Sequence, residues 1–221
     1  MLRSMKEVYG YDILGADGEI GVVDEFYFDD QHWTIRYLVV NTHKWLPGRR
    51  LLVSPLALSK PLWAARMLPA TLTREQVEKS PDIDLDKPVS RQHEIILHEH
   101  YGWHPWWTAM RSVPPPPTHV EKDVERVAEG DPHLRSIREV IGYHIQARDG
   151  EIGHVEDFIL SEPIWDIQYM VVDTRNWLPG RRVLVALQWI IQVAWAEQKV
   201  HLDLLRRTVK NSPEYDPLAL V

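Results

Sequence analysis

Four histidines and two glutamates crowd into one short stretch: His93, Glu94, His98, Glu99, His100 and His104. Imidazole and carboxylate groups together suggest a metal site. The zinc-protease pattern, however, needs two histidines four residues apart with glutamate after the first. His93 and His98 are five apart, which turns their rings to different faces of a helix. His100 and His104 have the right separation, but Gly102 falls between them. The spacing therefore argues against a metal centre. A small-ligand or metal-binding module built on His93, His98, Trp103 and Trp106 is kept as the alternative reading.

Other groups that could do chemistry come in pairs. Arg49-Arg50 and Arg181-Arg182 each follow a Pro-Gly dipeptide. A guanidinium can grip a carboxylate or phosphate with two parallel hydrogen bonds. Beside turn residues, the simpler expectation is that one arginine of each pair reaches an acidic partner in its own domain, such as Asp24 or Glu156. Asp17 and Glu19, with Asp149 and Glu151, sit at Asp-Gly turns, where solvent keeps carboxylates ordinary, and general acid–base work needs a shielded site. No nucleophile–His–Asp arrangement, phosphate-cradling glycine loop or dinucleotide fingerprint is present in the sequence.

The elements that must position these groups come from a repeat. Residues 4–84 align with 136–216 at a constant offset of 132, without a gap, and about 35 of the paired positions are identical. Within the first copy, residues 10–14 and 20–28 read as strands around the Asp17-Gly18 turn. Residues 33–40 place Trp33, Ile35, Tyr37 and Val39 at period two, the pattern of a half-buried strand. Pro47-Gly48 suits a type II turn with positive φ at glycine, and the Pro179-Gly180 turn of the second copy matches it. A strand resumes at 51–53, with weaker ones near 56–58 and 62–68. The second copy repeats this and has later strands at 187–191 and 194–202. A short helix closes each copy, capped by Thr73 in the first and Asp203 in the second, and ended by Ser80-Pro81 and Ser212-Pro213. Between the copies, residues 90–101 read as a helix capped by Ser90 and stopped by Gly102. Then come Trp103, Trp106 and Trp107, a stiff proline run at 114–117 and a charged stretch at 120–129.

Composition excludes several functions. The 221 residues carry ten tryptophans, no cysteine and a net charge of −7. The charge divides as −2, −3 and −2 over 1–84, 85–131 and 132–221. No segment is basic, which weighs against nucleic-acid binding, because that depends on neutralising phosphates. Without cysteine there is no disulfide or thiolate chemistry. No apolar run approaches the roughly 18 residues of a membrane span, and the first residues lack an apolar signal region, so a cytoplasmic location without a transmembrane segment is expected.

The repeat resembles the PRC-barrel family, which includes the cytoplasmic domain of the photosynthetic reaction centre H subunit and the C-terminal domain of a ribosome-maturation factor. The residues carrying the resemblance are Val8-Tyr9-Gly10-Tyr11 with Ile13, Asp17-Gly18-Glu19-Ile20-Gly21, the strand through Tyr37-Leu38-Val39-Val40, and Leu46-Pro47-Gly48-Arg49-Arg50-Leu51-Leu52-Val53. The second copy matches as well, and Ser80-Pro81-Asp82 and Ser212-Pro213-Glu214-Tyr215-Asp216 look like the family's ending. The H subunit's membrane anchor and the ribosome factor's additional domain are not seen. The resemblance implies a mainly β protein: two tandem small antiparallel barrels at 1–84 and 132–221, each closed by a short helix, with a helix-containing connector at 85–131. It also implies a non-enzymatic module that acts by contact with a protein partner or as a homodimer, with no cofactor. The expected contact surface is Trp103, Trp106 and Trp107 with Arg49, Arg50, Arg181 and Arg182.

Overall fold

The computed structural model of the chain describes residues 1–42, 45–81, 89, 91–104, 133–174 and 181–217. Ser90, Trp106, Trp107, Trp177, Gly180, the proline run and the charged stretch at 120–129 lie outside them.

The protein is mainly β and contains two sheets. The first copy runs β1 (Leu2–Ser4), α1 (Met5–Val8), β2 (Asp12–Gly15), β3 (Gly18–Asp29), β4 (Ile35–Asn41), β5 (Arg50–Val53), β6 (Met67–Pro69) and α2 (Arg74–Glu78). Helix α3 (Arg91–Tyr101) follows. The second copy runs β7 (Leu134–Ser136), α4 (Ile137–Val140), β8 (His144–Ala147), β9 (Gly150–Ser161), β10 (Asp166–Asp173), β11 (Arg182–Ala186), β12 (Ile190–Ala194), β13 (Lys199–Leu202) and α5 (Arg206–Lys210). One sheet has the order β5-β4-β3-β2-β6 with β7 on β3; the other has β11-β10-β9-β8-β13-β12 with β1 on β9. The first four strands of each order correspond copy for copy, as the gapless offset predicts. Neither order closes on itself among the described residues.

The sheets are not antiparallel throughout. β2 pairs β6 in parallel, and β8 pairs β13 in parallel. The long path through the intervening strands returns the chain in the direction in which it set out, and a parallel pair needs such a crossover. The later strands also differ from expectation. Pro55–Ala57 and Trp63–Ala65 are 3-10 turns, as are Leu187–Trp189 and Trp195–Glu197, so the first copy keeps only β6 after its turns and the second the short β12 and β13. β4 is buried on both faces, including Arg36, so it does not alternate. Trp33 stands before β4 in a left-handed conformation, with φ 57°.

Local chemistry explains the turns and caps. Gly48 has φ 79°, as the Pro-Gly turn requires. A Cβ on Gly21 would collide with the Asn41 carbonyl, and one on Gly153 with that of Asp173, so these two strand positions admit only glycine. Thr73 caps α2 in a capping box with Gln76. Leu205, not Asp203, stands at the N-cap of α5 and supplies no side-chain bond. Asp203 is instead paired with Arg148. A carboxylate from the hairpin tip serves both closing helices: Asp17 accepts from the Arg74 N–H at 2.8 Å, and Asp149 from the Arg206 N–H at 2.7 Å. Negative charge there favours a helix N-terminus.

The chain divides into two compact units that cut across the repeat. Unit 1 comprises Met1–Gly10, Phe28–Ile35 and Ser136–Val221; unit 2 comprises Tyr11–Tyr27 and Arg36–Arg135. In unit 1, β1 pairs β9, and the Ser4 hydroxyl donates to the buried Asp157 carboxylate. Met5 and Val8 are buried there, and Phe28, Trp33 and Phe158 form an aromatic cluster with centroids 5.2–6.4 Å apart. Unit 2 centres on Tyr37, Leu38, Leu51 and Leu52, and includes α3.

Candidate interaction site

Helix α3 presents an unusual face to the core of unit 2. Glu94, Leu97, His98 and Tyr101 lie at i, i+3, i+4 and i+7, and all four are buried. That spacing forms one helical stripe. Two of its members are polar. Glu94 is 0% exposed and His98 3%, whereas Ile95 and Ile96, beside them in sequence, are 38% and 47% exposed. The helix has its carboxylate and imidazole inside and its isoleucines outside.

Hydrogen bonds make this possible. The Tyr37 hydroxyl donates to Glu94 Oε1 at 3.0 Å and meets His98 Nε2 at 2.9 Å. With its proton committed to Glu94, the phenol oxygen accepts from Nε2–H, which selects that tautomer of the ring. Arg36 Nη1 lies 3.6 Å from Glu94 Oε1, and both side chains are buried. At the other end of the helix, His100 Nε2 lies 2.8 Å from the Gln76 carbonyl. Burial raises the Tyr101 pKa, and the neighbouring Ser80 and the Arg49 charge oppose the rise. Burial lowers that of His93.

The expected surface residues divide between the two units. Trp103 packs inward, stacked on Tyr101 at 4.4 Å and edge-on to His98 at 5.7 Å. Arg49 donates to the Glu78 and Ser80 carbonyls, closing the end of α2, and reaches the Ser80 hydroxyl at 3.3 Å. Arg50 pairs with Asp24 at 3.2 Å. In unit 1, Arg181 donates to the Ser212 carbonyl at 3.2 Å, and Arg182 pairs with Glu156 at 2.8 Å. The acidic partners Asp24 and Glu156 are those the sequence suggested.

Glu94, Tyr37, His98 and Arg36 form a lock that the sequence reading did not assemble. Its signal was the i, i+3, i+4, i+7 spacing, obscured because two of the four residues are polar. The phenol bridges the carboxylate and the imidazole, an arrangement that can pass a proton, and all three groups are closed to solvent. What it does is hold α3. Among the described residues, no group of three or more His, Cys, Asp or Glu is placed to hold a metal ion, and no helix is long and apolar enough to cross a membrane.

No model of a known protein family matches the chain, and neither does any curated protein.

Proposed function

We propose that the chain is a non-enzymatic assembly module of the PRC-barrel type. Its two copies of one small β domain, each read as a curled barrel, would bring protein partners together. The PRC-barrel reading rests on the quoted repeat motifs. The role in assembly rests on one observation: α3 is pinned by Glu94 and His98 with Ile95 and Ile96 turned outward. Burying an isoleucine side chain is worth about 1.5–3 kcal/mol. A helix fixed so as to forgo that gain twice presents its apolar residues to something else. The polar lock sets the orientation, and the isoleucines supply the adhesive surface.

The test is affinity purification of tagged protein from its native cells, read by quantitative mass spectrometry, with wild type beside an Ile95→Ser, Ile96→Ser variant. A partner enriched by wild type and lost with the variant is the expected outcome. Equal capture by both, or none by either, refutes the reading. Sedimentation of the same two proteins identifies the case in which the partner is a second copy.

A further inference from the structure

Unit 1 carries an open cleft of about 520 Å³, lined by Tyr169, Leu184, Trp189, Leu204, Thr208 and Ser212. At the repeat offset of 132, Tyr169, Thr208 and Ser212 correspond to Tyr37, Gln76 and Ser80. Two of these hold α3 in unit 2, Tyr37 through Glu94 and His98 and Gln76 through His100, and Ser80 lies beside Tyr101 of the same helix. Exposure follows the difference. Tyr37, Leu52 and Ser80 are buried, whereas their equivalents Tyr169, Leu184 and Ser212 are half-buried. The same face is covered by a helix in one copy and left open by the described residues of the other.

We propose that this cleft is a docking groove for an amphipathic helix of a partner protein. The proposal rests on the assembly reading above and names the shape of the partner. The helix carries the α3 stripe at i, i+3, i+4 and i+7, with one change. Where α3 has Glu94 it carries a neutral hydrogen-bonding residue. The cation that balances Glu94 is Arg36, and the equivalent of Arg36 is Gln168. A carboxylate brought into this cleft would meet no cation among the described lining residues, and burying one unpaired is costly. Tyr169 instead offers a neutral hydrogen-bonding group, with Thr208 and Ser212 beside it in the lining. The charged residues of the described lining are Glu214 and Asp216, both acidic, so the flank of the partner helix is basic. A second copy of this chain fits poorly: its own α3 carries Glu94 and is already locked, and its net charge of −7 is the same as that of the groove's owner. Helix-in-groove recognition needs only such a stripe and a preformed apolar trough.

The experiment titrates intact protein into a fluorescein-labelled peptide of residues 90–104 bearing Glu94→Gln, read by anisotropy. Saturable binding is expected, at least about 10-fold tighter than for the same peptide with its natural Glu94. Thr208→Arg and, separately, Trp189→Lys in the protein should abolish binding, with circular dichroism unchanged for at least one of them. Gln76→Arg should leave it intact. No saturable binding overturns the proposal. So does a preference for the Glu94 peptide, or sensitivity to Gln76→Arg alone, since either would mean that the peptide displaces α3 beside Arg36. Self-association that Thr208→Arg abolishes overturns it in favour of a second copy. Peptide failure with partner capture intact removes the groove and leaves the assembly reading. Peptide binding with no partner captured leaves a helix-binding groove and removes the assembly role.

Discussion

Asp157 shows how much one buried carboxyl can report. Burial raises its pKa above the ordinary carboxylate range, against hydrogen bonds from Ser4 and the Phe158 and Lys6 N–H groups and against the Lys6 charge. A carboxyl raised on folding holds its proton more tightly in the folded chain than in the unfolded one. Its stabilising contribution is full below the ordinary carboxylate pKa and is lost as pH rises through the raised folded value. Asparagine keeps an acceptor for the two N–H groups and has no charge to desolvate. Measured by urea unfolding, the stability of wild type relative to Asp157→Asn should therefore fall as pH rises from about 4 through neutrality. A difference that is constant or grows would refute the assigned direction. The sequence revealed the ion pairs Arg50–Asp24 and Arg182–Glu156, because turn chemistry placed the arginines beside their own strands. It did not reveal Asp157 or Glu94. Each is buried because its hydrogen-bond partners come from a distant segment, 153 residues away for Ser4 and 57 for Tyr37.

At the scale of elements, the local signals were reliable where the backbone itself is constrained. The Asp-Gly hairpins, the Pro-Gly turn at Gly48 and the Thr73 cap all stand where the residue types require them. The end of α3 at Tyr101 follows from Gly102, which has φ 68°. The face of α3 was not legible, because a pattern of apolar residues points Ile95, Ile96 and Leu97 inward, and only Leu97 goes there. β1 and α1 were missed because three or four residues carry no periodicity; they exist through pairing and burial far along the chain. The anchoring of α3 gives a direct expectation. Glu94→Ala strands Arg36 in the core without its carboxylate and should cost about 3–5 kcal/mol. The readout is the urea midpoint of the full chain, together with Trp103 emission, which should shift to the red as the Tyr101 stack opens. An unchanged midpoint would show that Leu97 and Tyr101 hold the helix by themselves.

For the whole molecule, a constant offset records repetition of sequence, whereas compactness records contact, and the two divide this chain differently. Repeat boundaries fall between 84 and 132, but unit 1 takes Met1–Gly10 and Phe28–Ile35 from the first copy. Deleting residues 1–10 removes β1 from the edge of β9 and takes Met5 and Val8 out of the core of unit 1. Each lost side chain is worth about 1.5–3 kcal/mol. Hydrogen exchange should accelerate in β9 and α5 and remain near wild type in β2 and β6. Unchanged protection in β9 would mean that the first ten residues only decorate the fold.

The same interleaving imposes an order on biosynthesis. Everything assigned to unit 2 has been made once residue 135 has been added, so that unit can organise while the rest of the chain is still being translated. Unit 1 has no such option. Ser4 is made before Asp157 and must wait for it, 153 residues later; at about 5–20 residues per second this is roughly 8–30 s. Throughout that interval Met5 and Val8 lack the later-made part of the unit that buries them.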